Sequence, residues 1–131
     1  MFSHIMVGTN DIDKAKEFYN KLLGTLGFSG EPVEHVADSG HKRLFYMHGG
    51  GTFCVSQPIN DEPATFANGG TIGFQCVSAE QVKAFHDTGV EAGGSTAEEP
   101  PGLRESSMGP MHLSYVRDPD GNKLCAIYRG A

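Results

Sequence analysis

The 131-residue sequence predicts an α+β fold in which a βαβββ module occurs twice. Three observations predict it: an internal repeat, an amphipathic helical segment in each copy, and short strand-like runs separated by glycine. Glycine supplies 18 residues without any period, which is typical of a chain with many turns. The length fits one domain, residues 1–131, with module 1 at about 1–58, a linker at about 59–69 and module 2 at about 70–131.

The repeat has an offset of 67 residues, which aligns residues 4–9 with residues 71–76. In each copy a strand-like run leads into a helical segment, so the unit is a supersecondary module present twice. The residues that coincide include Ile5 with Ile72, Val7 with Phe74, Lys16 with Lys83 and Phe18 with Phe85.

Helical spacing of apolar residues predicts one helix over about 11–26 and a second over about 78–90. Asn10 or Asp11 is suited to cap the first helix, and Ser78 followed by Gln81 forms a capping box for the second. Strands are predicted over 32–37, 43–48, 52–57, 111–117 and 123–128. Gly49-Gly50-Gly51 and the segment 118–122 supply the tight turns.

Charge and composition exclude several classes of protein. The formal net charge of −6 is unsuited to general nucleic-acid binding, which needs clustered Lys and Arg, and it favours a cationic ligand. No apolar run approaches the length that spans a bilayer, and the N-terminus lacks the pattern of a signal peptide, so a cytoplasmic protein is expected. The three widely spaced cysteines predict buried thiols and not a disulfide framework.

Two motifs carry a resemblance to a known family. The segment 115–124 contains Asp-Pro-Asp-Gly-Asn before the last strand, and the chain opens with His4 on the first strand, followed by an Asp-led helix that contains Phe18-Tyr19. With the repeat, these features resemble the vicinal oxygen chelate superfamily, the fold of glyoxalases, bleomycin-resistance proteins and extradiol dioxygenases, along essentially the whole chain. The resemblance implies that the mixed sheets curl into a cup with the helices outside.

The resemblance also implies four metal-ligand positions on the floor of the cup, which in glyoxalase-like members hold His, Glu, His and Glu. They fall on His4, Cys54, Thr71 and Cys125, so one of the four ligands is kept. A His4–Cys54–Cys125 site would suit zinc better than nickel, manganese or iron. The alternative is a weakly polar floor without metal. A nucleophilic Cys54 or Cys125 beside His4 is a further alternative to inert thiols, and Cys76 is expected in the core.

Three residues are candidate catalytic groups: His4, Arg104 and His112. Arg104 follows a Pro-Pro-Gly turn and is placed to bind a carboxylate or phosphate at the rim, unless it is an ordinary surface residue. His112, with Ser114, is placed to line the cup and transfer protons, unless it is a hydrogen-bonded histidine of the sheet.

Two functions follow from the resemblance. One is a glyoxalase-like lyase or isomerase that acts on a small molecule in the cup. The other is a metal-free protein that binds a drug or metabolite, as bleomycin-resistance proteins do, with a stacking wall from Phe45, Tyr46, Phe53 and Tyr115. The resemblance further implies a homodimer related by a two-fold axis.

Overall fold

A computed structural model describes residues 1–131 and contains two helices and nine strands. The helices are α1 (Ile12–Gly24) and α2 (Ala79–Glu91). The strands of the first half are β1 (Ile5–Gly8), β2 (Val33–Val36), β3 (Lys42–His48) and β4 (Gly51–Ser56). Those of the second half are β5 (Ile72–Gln75), β6 (Ser95–Thr96), β7 (Gly102–Arg104), β8 (Met111–Arg117) and β9 (Lys123–Arg129).

The predicted repeat is present in the structure, because β1 and β5, and likewise α1 and α2, begin and end at positions 67 residues apart. Both predicted helix caps form. The side chain of Asp11 accepts a hydrogen bond from the Lys14 amide at 3.0 Å, and that of Ser78 accepts one from the Gln81 amide at 3.1 Å. These bonds satisfy amide groups that have no partner within the helix.

Each module contributes its own mixed sheet. The first has the strand order β1-β4-β3-β2 and the second has the order β5-β9-β8-β6, with β7 also paired to β8. In each sheet the first strand runs parallel to the last strand of the module, and the remaining pairs are antiparallel. The α+β fold with paired modules is therefore confirmed, and its two sheets of four and five strands do not close into a barrel.

The second module departs from the predicted βαβββ order because it has one more strand than the first. Two short strands, β6 and β7, lie along β8 where the first module has β2 alone. Pro100 and Pro101 fall between them. Proline has no amide hydrogen to donate to a strand ladder, so the pairing is interrupted at this point.

The hydrophobic core lies between the two sheets and the two helices. The buried face of α1 consists of Ile12, Ala15, Phe18, Tyr19, Leu22 and Leu23, which is the face that the periodicity predicted. These residues form one cluster with Val82, Phe85, Val116 and Leu124 of the second module. Each fully buried Leu, Val or Phe side chain contributes about 1.5–3 kcal/mol. The shared core therefore holds the two modules together.

The turn between β8 and β9 joins the second module to the first. Asp120 accepts hydrogen bonds from the Thr9 hydroxyl at 2.5 Å and from the Asn10 amide at 2.9 Å. Asn122 donates its side-chain amide to the Gly8 carbonyl at 3.2 Å. The Asp-Pro-Asp-Gly-Asn motif thus fixes the end of β1 as well as its own turn.

Candidate functional site

The two sheets present equivalent open faces, opposite to the faces that pack on the helices. In the first sheet a cross-strand row on this face consists of Met6, Cys54, Phe45 and Val33. In the second sheet the corresponding row consists of Gly73, Cys125 and Tyr115. Side chains alternate between faces along a strand, so Cys54 and Cys125 occupy matching positions of the two modules.

The open face of the second sheet contains a pocket of about 720 Å³. This volume is within the range typical of small-molecule sites, roughly 300–1,000 Å³. Its lining residues include Thr71, Gln75, Tyr115, Cys125, Ile127 and Arg129. The open face of the first sheet has a separate pocket of about 490 Å³, which includes Met6, Arg43 and Ser56 and residues of the linker.

The Tyr115 ring lies next to Cys125 in the second-sheet pocket and contacts a charged side chain. The nitrogen of the Lys123 side chain lies 5.0 Å from the centroid of the Tyr115 ring, and the same ammonium group is paired with Glu98. Burial raises the pKa of the Tyr115 hydroxyl above its ordinary value. The hydroxyl is therefore neutral near pH 7, and the ring is held by a cation–π contact.

Both thiols on the open faces are neutral near pH 7. Burial raises the pKa of Cys54, although the neighbouring Arg43 opposes the shift. Burial also raises the pKa of Cys125, and the hydrogen bond from Tyr115 opposes it. A nucleophile requires the thiolate, so these environments disfavour that role for both cysteines. Cys76 lies in the core with 3% of its surface exposed, as predicted.

The four positions that correspond to the family's metal ligands are divided between the two sheets. His4 is exposed, precedes β1 and has its Nδ1 2.5 Å from the Ser3 hydroxyl. His4 and Cys54 belong to the first module, whereas Thr71 and Cys125 line the pocket of the second. No group of three or more His, Cys, Asp or Glu side chains is placed to hold a metal ion.

The predicted His4–Cys54–Cys125 constellation is therefore not assembled within one chain, because its members lie on separate sheets. The donor set also differs from that of the family: one imidazole, two thiols and a threonine hydroxyl stand where glyoxalase-like members have two imidazoles and two carboxylates. The residues present do not fit the family's metal site.

Arg104 lies at the rim of the second sheet, opposite Met111 in the pairing of β7 with β8. Its guanidinium group donates to the Pro100 carbonyl at 2.7 Å and to the Leu103 carbonyl at 3.3 Å. It is also close enough to Tyr115 to counteract part of the rise in that group's pKa. Arg104 thus holds its own loop beside the pocket, and part of its hydrogen-bonding capacity is already used.

His112 and Ser114 lie on the helix side of the second sheet and not in the predicted cup. The Ser114 hydroxyl is completely buried and donates to the Val82 carbonyl of α2 at 2.9 Å. His112 is two residues away on the same face, in a cavity of about 250 Å³ that also contains Lys83. The orientation of His112 and Ser114 is therefore the reverse of the predicted one. Residues an odd number of positions apart on a strand face opposite sides, and Tyr115 is the residue that faces the open side.

The predicted stacking wall is reduced from four aromatic residues to two. Tyr46 and Phe53 are buried on the helix side of the first sheet, whereas Phe45 and Tyr115 face the open sides. Arg129 was not among the residues predicted from the sequence, although the alternation along β9 places it on the same face as Cys125. Its guanidinium group makes no ion pair, so this pocket carries positive charge although the whole chain is acidic.

Comparison with known proteins defines the class to which this fold and site belong. Residues 1–126 match the sequence profile of the Glyoxalase/Bleomycin resistance protein/Dioxygenase superfamily. The chain belongs to this superfamily, and the resemblance identified from the sequence is confirmed. Neither helix has the length and apolar character needed to cross a bilayer.

The chain is similar to three further proteins, at decreasing levels of sequence identity. A glyoxalase/bleomycin resistance protein from Albidiferax ferrireducens T118 is 52% identical, with a TM-score of 0.88 over 98% of this chain and 99% of that one. A probable lactoylglutathione lyase of Vibrio cholerae is 28% identical over 121 residues, which cover 90% of this chain and 83% of that one. A mutant of the fosfomycin resistance protein FosX from Listeria monocytogenes, complexed with Mn(II) and 1S,2S-dihydroxypropylphosphonic acid, is 18% identical, with a TM-score of 0.69 over 99% of this chain and 90% of that one. At that identity the last comparison concerns the fold alone.

Proposed function

We propose that this protein binds a small organic molecule in the open-face pocket of the second sheet, without the metal-dependent chemistry of glyoxalase I. The observation that carries the proposal is the pocket of about 720 Å³ built around Tyr115 and Cys125. A pocket of this kind needs apolar walls and a few placed polar groups. Tyr115 and Ile127 supply the walls, and Gln75 and Arg129 supply the polar groups.

The charges around the pocket favour a ligand with an anionic or oxygen-rich group. Lys123 is neutralised by Glu98, whereas Arg129 is exposed and free of ion pairs. A guanidinium group binds a carboxylate or phosphate through two parallel hydrogen bonds. The ligand that best matches the pocket is therefore a small acid whose unsaturated or aromatic body contacts the Tyr115 ring.

The second candidate is a glyoxalase-like lyase or isomerase that acts on a small molecule at the same place. It is supported by the 28% identity to a probable lactoylglutathione lyase. His4, Arg104 and His112 are its candidate catalytic groups. Arg104 lies beside the pocket and His112 on the opposite face of the sheet, so Arg104 is the better placed of these two.

We also propose that the protein is a homodimer. The pockets on the two open faces belong to different modules. The positions that correspond to the family's metal ligands are divided in the same way, with His4 and Cys54 in the first module and Thr71 and Cys125 in the second. A two-fold partner is the arrangement that brings the first-module face of one protomer toward the second-module face of the other. Light scattering is expected to give twice the 14.0 kDa of one chain, and a mass of one chain would contradict the proposal.

Replacing Tyr115 with Ala tests the binding site. A ligand is first selected by thermal shift from a library of small aromatic and oxygen-rich acids, and its Kd is then measured by calorimetry with EDTA present. The variant is expected to weaken binding roughly tenfold, because it removes the ring face that the ligand contacts. Heteronuclear NMR spectra are expected to show shifts at Ile127 and Cys125.

Val90→Ala is the control, because Val90 is a 40% exposed apolar residue of α2, on the helix side of the sheets and away from both open faces. It is expected to leave the Kd within about twofold of the unmodified value. The proposal is overturned if no acid binds with EDTA present, or if Val90→Ala weakens binding as much as Tyr115→Ala does.

A further inference from the structure

A second cavity, of about 190 Å³, lies on the helix side of the sheets, opposite to the face that carries Cys54 and Cys125. It is located under the C-terminal end of α1. Leu23, Leu26 and Phe28 form one wall. The opposite wall combines the two modules, with Ile5 and Phe53 from the first sheet and Ile72 and Phe74 from the second. We call it the seam cavity.

The seam cavity offers few hydrogen bonds to a ligand. Apart from the Thr52 hydroxyl, its polar side chains, those of Tyr46 and His48, are already hydrogen-bonded within the protein. The Tyr46 hydroxyl donates to the Asn20 side-chain oxygen at 2.8 Å, and His48 Nε2 lies 3.0 Å from the Leu26 carbonyl oxygen. A charged or strongly polar molecule would lose its hydration there without compensation. The chemistry of the walls therefore selects an uncharged, apolar molecule.

The aromatic residues around the seam cavity favour a flat ring. Phe53 and Phe74 meet edge to face with centroids 5.5 Å apart, and Phe28 meets Tyr46 in the same way at 5.2 Å. An aromatic ring bound between these two pairs can contact both the faces and the edges of their rings. The volume of the seam cavity also suits a single aromatic ring, because an apolar cavity of about 150 Å³ lined by Leu, Ile and Phe is known to hold benzene.

We propose that the seam cavity is a second ligand site, independent of the open-face pocket, that takes one uncharged aromatic ring or a short alkyl chain. Both modules contribute to its walls, so a bound molecule links α1 to the edge strands β1 and β5. Binding to the folded state alone stabilises that state by mass action. A ligand in the seam cavity is therefore expected to raise the Tm of the whole chain.

Toluene and benzoate form the probe pair that tests the site in the unmodified protein. Methyl NMR spectra are expected to show saturable shifts at Ile5, Leu23 and Ile72 with toluene. Benzoate, which has the same ring and a negative charge, is expected to leave these methyl groups unshifted at the same concentration. Toluene shifts confined to Ile127 and its neighbours would assign the molecule to the open-face pocket and overturn the proposal, as would the absence of any saturable shift.

A filled cavity provides the second test. Leu26→Trp places an indole in the seam cavity and is expected to weaken toluene binding roughly tenfold or more, because the space is taken. Leu103→Trp is the matched control: Leu103 is 48% exposed on β7, away from the cavity, and the substitution is expected to leave toluene binding within about twofold. Equal toluene affinity in the two variants would overturn the proposal. The NMR mapping stands if Leu26→Trp fails to fold.

Discussion

Replacing Asp118 with Ala is expected to lower the free energy of unfolding by about 3 kcal/mol, a large fraction of the stability of an ordinary domain. Asp118 is 4% exposed and accepts hydrogen bonds from four donors. The Tyr19 hydroxyl lies at 2.5 Å, the Asn122 side-chain amide at 2.8 Å, and the backbone amides of Asp120 and Asn122 at 2.9 Å. Removal of the carboxylate leaves buried donors without partners, and urea denaturation measures the loss.

Asp38→Ala is the control for this prediction, because Asp38 is an exposed residue without a hydrogen-bond partner. It is expected to change stability by no more than about 0.5 kcal/mol. Tyr19→Phe removes only one of the four bonds and is expected to cost about 1–2 kcal/mol. Equal stability of Asp118→Ala and the unmodified protein would contradict the structural role given to the Asp-Pro-Asp-Gly-Asn turn.

Titration of the Asp118 carboxyl group makes the stability of the fold depend on pH with a definite sign. Burial raises the pKa of Asp118 above 3.8, although its hydrogen bonds oppose the shift. The folded state therefore keeps the proton to a higher pH than the unfolded state. The stability that this titration contributes is fully present below pH 3.8 and is lost as the pH rises through the folded pKa. The hydrogen bonds themselves persist at neutral pH, where the substitution is tested.

Gly94→Ala is expected to destabilise the protein by about 3 kcal/mol or more, the upper end of the range for an overpacked site. A Cβ atom at this position would lie 2.3 Å from the Arg117 carbonyl oxygen and 2.8 Å from that of Gly89. Both contacts are with backbone atoms, which cannot rotate away. Relief requires a shift of β8 relative to the end of α2. A thermal unfolding scan is expected to show the loss as a lower Tm.

Gly24→Ala is the matched control. A Cβ at Gly24 meets nothing within 4 Å, and Gly24 is the last residue of α1. This substitution is expected to be neutral or to stabilise by up to about 1 kcal/mol, because alanine reduces the freedom of the unfolded chain. If Gly94→Ala unfolded at the same temperature as Gly24→Ala, the close packing between α2 and β8 would be disproved.

The sequence predicted the elements of the fold because their signals are local. The helical spacing of apolar residues located both helices, and the caps at Asp11 and Ser78 formed as expected. The first helix ends at Gly24, two residues before the predicted end, because Leu26 closes a tighter turn onto Leu23 before Gly27 adopts a φ of 102°. The extra strand of the second module was not predicted, since β6 and β7 have only two and three residues.

The site was harder to predict because it depends on which face each strand buries. Alternation alone separates His112 from Tyr115, but it does not say which of them faces the helices. The buried hydroxyl of Ser114 decides this through its bond to the Val82 carbonyl, a contact between residues 32 positions apart. The separation of Cys54 from Cys125 depends likewise on the arrangement of two sheets, which no local pattern encodes.

We expect this superfamily member to bind its ligand without a metal ion. The most direct measurement is elemental analysis of the untagged protein after loading with Zn, Ni, Mn and Fe(II), with the formation of lactoylglutathione from methylglyoxal and glutathione assayed on each sample. We expect substoichiometric metal in every sample and no lyase activity above the uncatalysed rate. One metal ion per chain that is lost in His4→Ala, together with metal-dependent lyase activity, would contradict the account and establish the glyoxalase-like enzyme.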